Sequence, residues 1–202
     1  MKGDVNRSDF WADIYRAKDD GWDLGGAAPP LESLLKSDPP TPSGGKVAVV
    51  GCGRGHDARL FARAGYATWG FDFVPYAIDE GRRLAAEEGL DINYEVRDVF
   101  ALPDAYPDHF DVVWEYTCYC AIDPSRRDEY LSVLHRIIAP GGMLLGLFYP
   151  IQEGTDGPPF PSTDEDLRRR LEGKFRILSY ETPSGSITPR QDKERLVRAS
   201  PR

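Results

Sequence analysis

The run Val47-Ala-Val-Val50, followed by Gly51-Cys-Gly53-Arg-Gly55-His-Asp57, constrains the fold of this chain more than any other stretch. A short block of small apolar residues reads as a buried strand. The glycines after it let the backbone turn sharply and approach a ligand that a Cβ would obstruct. Asp57 to Ala64 reads as a helix, and a second apolar run closes on Asp72. Strand, glycine turn, helix and strand make a βαβ unit, in which the acid ending the second strand can accept hydrogen bonds from both hydroxyls of a ribose. The unit reads as a cradle for a nucleoside cofactor.

Glycine spacing separates two cofactor classes. Dinucleotide binding prefers Gly-x-Gly-x-x-Gly, where helix-terminal amides hold a pyrophosphate. Here His56 stands where the third glycine would fall. S-adenosylmethionine has no phosphate and needs close backbone approach more than an anion nest. The expected cofactor is therefore S-adenosylmethionine, leaving as S-adenosylhomocysteine, with Gly51, Cys52 and Gly53 in the loop and Asp72 and Phe73 at the ribose. A nicotinamide oxidoreductase is the weaker reading.

At 202 residues the length favours one domain over 1–202, divided into an N-terminal lid or cap at 1–45 and a sheet core at 46–202. That leaves no room for a large recognition domain, so the expected acceptor is a small molecule. With a net charge of −8 and no basic stripe, nucleic acid is not an expected partner. The basic segment from Arg190 to Arg202 is interrupted by Asp192 and Glu194 and takes a structural reading. Three cysteines, Cys52, Cys118 and Cys120, show no metal-ligand spacing and form an odd count, which fits reduced thiols and a cytoplasmic location. No signal-type apolar region and no membrane-length run is present, so a soluble intracellular protein, monomeric or weakly dimeric, is expected.

The element pattern begins with a helix over about 9–18, capped by Ser8 and carrying Phe10, Trp11, Ile14 and Tyr15 on one side. Leu31 to Ser37 is helical, and the loop from Asp38 to Gly45 separates this region from the sheet. Strands are expected at about 47–50, 68–72, 92–95, 111–115 and 142–149, and helices at about 56–64, 75–88, 125–138 and 163–172. Lys174 to Glu181 and Glu194 to Ala199 make a closing antiparallel pair. The alternation predicts an α/β fold, Rossmann-like and doubly wound, with a mostly parallel sheet, an antiparallel C-terminal strand and an N-terminal helical lid.

Asp98 and Val99 follow the third strand, where a carboxylate and an amide can meet an adenine edge. The fourth strand runs into Glu115-Tyr116-Thr-Cys-Tyr119, which places Glu115 and Tyr116 toward the reaction centre. A thiol acceptor reacts as its thiolate, and a tyrosine hydroxyl can orient or stabilise that anion. Tyr116, Tyr119 and Tyr149 are the candidates, with no stronger base visible nearby. Trp11, Tyr15 and Trp22 form an aromatic cluster that either packs a helix onto the sheet or covers a cationic sulfonium. His56, His109 and His135 make no nucleophilic constellation, and no Asn-Pro-Pro-Tyr-type tetrad follows the fourth strand.

These residues together resemble the plant-type thiol and halide methyltransferases of the thiopurine S-methyltransferase superfamily. Trp11 with Trp22-Asp-Leu-Gly25, Gly51-Cys-Gly-Arg-Gly-His-Asp57, Tyr116-Thr-Cys-Tyr-Cys-Ala-Ile-Asp-Pro124, Ala139-Pro-Gly-Gly142, Tyr149-Pro150, Gly157-Pro-Pro-Phe160 and Pro189-Arg190 fall in matching order. The resemblance implies a methyltransferase acting on a small soft nucleophile, a thiol, hydrosulfide, halide or thiocyanate. It implies that Trp11, Tyr15, Trp22, Gly51, Asp72, Asp98, Val99 and Tyr116 line the cofactor site, that Tyr149 lies near the acceptor, and that the aromatic cluster is a lid. Tyr15 stands where these enzymes carry tryptophan, Gly21 and Val50 where they carry proline, and Cys118-Tyr119 where they carry a phenylalanine pair. The departures bear on the acceptor more than on the cofactor. Oxygen, nitrogen or metalloid acceptors, and a non-catalytic cofactor-binding protein, are the alternatives.

Overall fold

Val47 to Val50 are buried on both faces, and the sheet is built outward from them. The computed structural model describes residues 3–40 and 44–202, so Thr41 to Ser43 of the Asp38–Gly45 loop lie outside the described residues. The strands are β1 (Lys46–Val50), β2 (Ala67–Asp72), β3 (Asn93–Val96), β4 (Phe110–Tyr116), β5 (Ile138–Phe148), β6 (Phe175–Glu181) and β7 (Arg195–Pro201). Their order across the sheet is β3-β2-β1-β4-β5-β7-β6, and β7 runs antiparallel to both its neighbours. The other pairings are parallel. β1 lies between β2 and β4, so the connections diverge there and open a crevice at the carboxyl ends of the strands.

The helices are α1 (Ser8–Ala17), α2 (Pro29–Ser37), α3 (His56–Arg63), α4 (Pro75–Glu87), α5 (Leu102–Ala105), α6 (Arg127–Ile137) and α7 (Asp164–Glu172). Alternate strand residues face opposite helical layers. Val47, Val49, Val112 and Trp114 pack with Leu31, Phe61 and Ile78 from α2, α3 and α4. Ala48, Val50, Val113 and Leu144 pack with Leu102, Tyr130, Leu134 and Leu167 from α5, α6 and α7. This is a sheet covered on both faces. No helix among the described residues is long and apolar enough to cross a membrane.

Local differences from expectation have local causes. Ser8 does not cap α1: Arg7 holds the N-cap position without a side-chain bond, and Ser8 is the first helical residue. α2 begins two residues early because Pro29 and Pro30 suit a helix's first positions, where an N–H is not needed. β5 starts at Ile138 and takes in Ala139-Pro-Gly-Gly142, with a register shift between Phe110 and Val112. Gly142 is required there, since a Cβ would lie 2.8 Å from the Asp111 carbonyl oxygen. α7 starts at Asp164, with Thr163 accepting a hydrogen bond from the Asp166 amide at 3.1 Å.

Candidate active site

The glycine loop leaves β1 with Gly51, Gly53 and Gly55 at φ +57°, +52° and +71°, a backbone region that L side chains rarely adopt. A Cβ on Gly51 would also fall 2.7 Å from the Cys118 sulfur. Asp72 closes β2 beside this loop. Its Oδ2 accepts from the Gly53 amide at 3.0 Å and its Oδ1 from the Val74 amide at 2.9 Å, so the carboxylate braces the loop and keeps a lone pair on each oxygen for a ligand. Burial pushes this carboxyl up to about 6, against the pull of those amides. Asp98 is exposed at the neighbouring strand end, where it accepts from the Phe100 amide at 3.0 Å and caps the short turn that Val99 opens.

The N-terminal segment closes over the loop. Trp11 and Tyr15 are buried, and each meets the Trp22 ring edge-on, at 5.5 and 5.4 Å between centroids. Arg54, from the glycine loop, pairs with both Asp20 and Asp23 and lies 5.1 Å from the Tyr15 ring centre. His56 Nε2 is 3.0 Å from Asp23, whose carboxyl is held below its usual range first by His56 and then by the Gly25 amide and Arg54, against burial. Asp57 accepts from the Ala28 amide and from the Trp114 indole, both at 2.8 Å, which ties the entry to α2 onto the sheet and satisfies the buried tryptophan.

At the other end of the crevice, Tyr116 at the end of β4 and Tyr149 after β5 flank Arg190. The guanidinium of Arg190 lies 5.3 Å from the Tyr116 ring centre and 4.9 Å from that of Tyr149, donates to the Tyr116 oxygen, and donates to the Trp22 carbonyl at 3.0 Å. Only 5% of Arg190 is exposed. The Tyr116 hydroxyl in turn donates to Glu194 at 3.0 Å. A phenol has one proton to give, and here it goes to Glu194.

The structure brings Trp11, Tyr15, Trp22, Gly51, Cys52, Gly53, Asp72, Phe73, Asp98, Val99, Tyr116 and Tyr149 around one cavity of about 780 Å³. That size is ordinary for a small-molecule site. Two expected residues lie elsewhere. Glu115 is fully buried on the opposite face of β4, where it accepts from the Tyr119 amide, and burial pushes it up to about 8. Side chains alternate along a strand, so Glu115 and Tyr116 point to opposite faces of the sheet, and Tyr116 is the one that lines the cavity. Tyr119 is buried too, with its ring 5.3 Å from that of Phe148 and under the Arg127 guanidinium at 4.5 Å.

Sequence reasoning missed Arg190, which it left in a structural basic tail, and Glu194, a carboxylate beside Tyr116 where no base was expected. The Pro189-Arg190 match was the one signal for the first, and nothing local marked the second. Asp57 and Arg54 were read only as parts of the loop motif.

The profile of the thiopurine S-methyltransferase family matches residues 6–200. The chain is similar to probable thiol methyltransferase 2 of Arabidopsis thaliana, at 26% identity over 96% of this chain and 85% of that one. Thiocyanate methyltransferase 1 of Brassica oleracea is 30% identical over 88% of this chain and 78% of its own. Among solved structures, the 1,6-didemethyltoxoflavin-N1-methyltransferase of Burkholderia thailandensis shares the fold, with a TM-score of 0.74 at 22% identity over 98% of this chain and 87% of its own.

Proposed function

The chain belongs to the thiopurine S-methyltransferase family, and from that premise we propose that it moves a methyl group from S-adenosylmethionine to a small soft nucleophile, a thiol or hydrosulfide first, a thiocyanate or halide second. The observation that carries this reading is the buried Arg190 guanidinium between Tyr116 and Tyr149, at the end of the cavity opposite Asp98. A fixed positive charge out of water suits an acceptor that reacts as an anion.

The residues present fit the cofactor. The positive φ values at the glycine loop leave room that a Cβ would fill, since one on Gly53 would come within 3.2 Å of the Tyr15 hydroxyl. Asp72 has lone pairs for ribose hydroxyls, Asp98 and Val99 line the cavity at the neighbouring strand end and would meet an adenine edge, and the rings of Trp11, Tyr15 and Trp22 line it too and would stabilise a cation by about 0.5–2 kcal/mol. The cofactor, when bound, supplies a methyl group already activated on a sulfonium. The protein's task is to hold an acceptor in line and exclude water, and positioning of this kind supplies roughly 7–11 kcal/mol of a barrier. Arg190 and the Tyr149 hydroxyl hold the acceptor, and residues 1–45 act as the lid over a single domain.

A cavity of about 780 Å³ suits a small-molecule acceptor. The three free thiols suit a reducing, cytoplasmic setting, and the protein is proposed to act as a monomer or weak dimer. Mass spectrometry of methylated products against a panel of thiols, thiocyanate, halides, phenols and amines tests the reading. Methylthioethers or methyl halides are expected, and products formed only from the phenols or amines would overturn it.

A further inference from the structure

We propose that Glu194, acting through Tyr116, takes the proton of a thiol acceptor; the inference rests on the thiol reading above and adds its base. Glu194 is 1% exposed, next to β7, and Tyr116 donates its hydroxyl proton to Glu194 Oε1 at 3.0 Å. The second oxygen, Oε2, is buried without a hydrogen-bond partner among the described residues. A carboxylate kept out of water with an unused oxygen is costly as a purely structural element. Arg190 donates to the Tyr116 oxygen from the other side. That oxygen keeps one further lone pair, and Tyr116 lines the cavity where an acceptor would sit.

The proton path follows from this order. The acceptor S–H bond breaks toward the Tyr116 oxygen as the phenol's own proton passes to Glu194 Oε1. The thiolate stays beside Arg190, and its lone pair forms the new carbon–sulfur bond while the donor's carbon–sulfur bond breaks, the electron pair leaving with the sulfide. Glu194 afterwards returns one proton to solvent, so the step balances. The charged and titratable groups around this path include Arg190, whose charge also acts on Asp57 of α3 and on Cys120 and whose guanidinium lies 4.9 Å from the Tyr149 ring centre, and Arg195, which is held by Asp164 and donates to the Glu194 carbonyl at 2.8 Å. An acceptor that is anionic at every pH has no proton to give and makes no use of the path.

The test compares kcat/KM for an alkyl thiol with that for thiocyanate or iodide across pH 6–10, in the wild type, Glu194→Gln and Tyr116→Phe. Gln accepts the Tyr116 hydrogen bond but takes up no proton. An unperturbed thiol is only a few per cent ionised at pH 7, so the thiol-to-anion ratio should fall on the order of thirtyfold in each variant at that pH. The thiol profile of each variant should then climb with pH and approach the wild type once the thiol ionises by itself. Proton release on thiol binding to the S-adenosylhomocysteine complex, counted by calorimetry in two buffers at pH 7, below the thiol pKa, should be near zero in the wild type, where Glu194 keeps the proton, and should rise toward one for the thiolate bound by Glu194→Gln, which has no place for it. Equal losses with both acceptors at every pH would make Glu194 structural and overturn the relay. Should Glu194→Gln not fold, Tyr116→Phe carries the same comparison. A wild type that methylates neither acceptor would overturn the thiol reading itself, a different result from either.

Discussion

Asp72 is a carboxylate whose burial works against its charge while its expected ligand works for it. With the group pushed up to about 6, it is ionised at neutral pH and free to accept hydrogen bonds from the proposed ribose, whereas below about 6 such binding would compete with a proton. Affinity for S-adenosylhomocysteine should therefore hold above pH 7 and fall by up to about tenfold by pH 5. Asp72→Ala should cost about 1.5–3 kcal/mol at pH 7.5 and lose that pH dependence. Calorimetry giving the same affinity for both proteins at both pH values would remove Asp72 from the ribose. Glu115, pushed up to about 8 in the folded protein, makes a separate point about stability. Its pKa is raised above the unfolded value of about 4.3, so the folded state keeps a proton that the unfolded state loses, and stability declines as pH rises from about 4 to about 8. Glu115→Gln has no such slope and should gain on the wild type by a few kcal/mol across that window. Parallel Tm curves for the two proteins from pH 5 to 8 would contradict it.

The N-terminal segment lines the cavity with Trp11, Tyr15 and Trp22 and is the element proposed as its lid. It is held by the packing of its Trp11, Tyr15 and Trp22 rings and by contacts to the sheet core, the Arg54 pairs to Asp20 and Asp23 and the Asp57 bond to the Ala28 amide. Removing Arg54 leaves two carboxylates facing each other across the loop. Arg54→Ala should accelerate proteolysis around Asp19 to Gly21 severalfold in the free protein, and saturating S-adenosylhomocysteine should slow cleavage of the wild type. Identical cleavage rates with and without ligand would mean that the segment is a fixed packing helix and not a lid. α7 is an internal control, since it contributes no residue to the cavity lining. Thr163→Ala removes its cap and should lower stability by about 1 kcal/mol with no change in ligand affinity.

At the scale of the whole molecule, the crevice joins β1, β2 and β4 to the N-terminal segment and to the turn at Arg190, so a ligand there touches most of the chain's layers at once. Binding to the folded state alone should stabilise it by about 2.7 kcal/mol at a hundredfold excess over Kd. For a domain of this size that is a rise of roughly 5–11 °C in Tm, in one cooperative transition. S-adenosylhomocysteine should produce the shift in a thermal melt and NAD should not. An NAD-induced shift of equal size would restore the dinucleotide reading that His56 argues against.

Local pattern determined what local physics governs. The apolar block at Val47–Val50, the glycines after it and the acid at Asp72 set the βαβ unit, because burial of a strand, a positive φ and a strand-end carboxylate each depend on residues near in sequence. The strand and helix rhythm determined the doubly wound sheet and its closing antiparallel pair in the same way. Only the tertiary structure decided which side chains meet across long separations: Arg190 with Trp22 and Tyr149, Tyr116 with Glu194, Asp57 with Trp114 and Ala28. It also decided which face of β4 meets the crevice, separating Tyr116 from Glu115. A period-two alternation says that neighbours diverge but not which one turns inward, and that choice is made by the helices packed on either face.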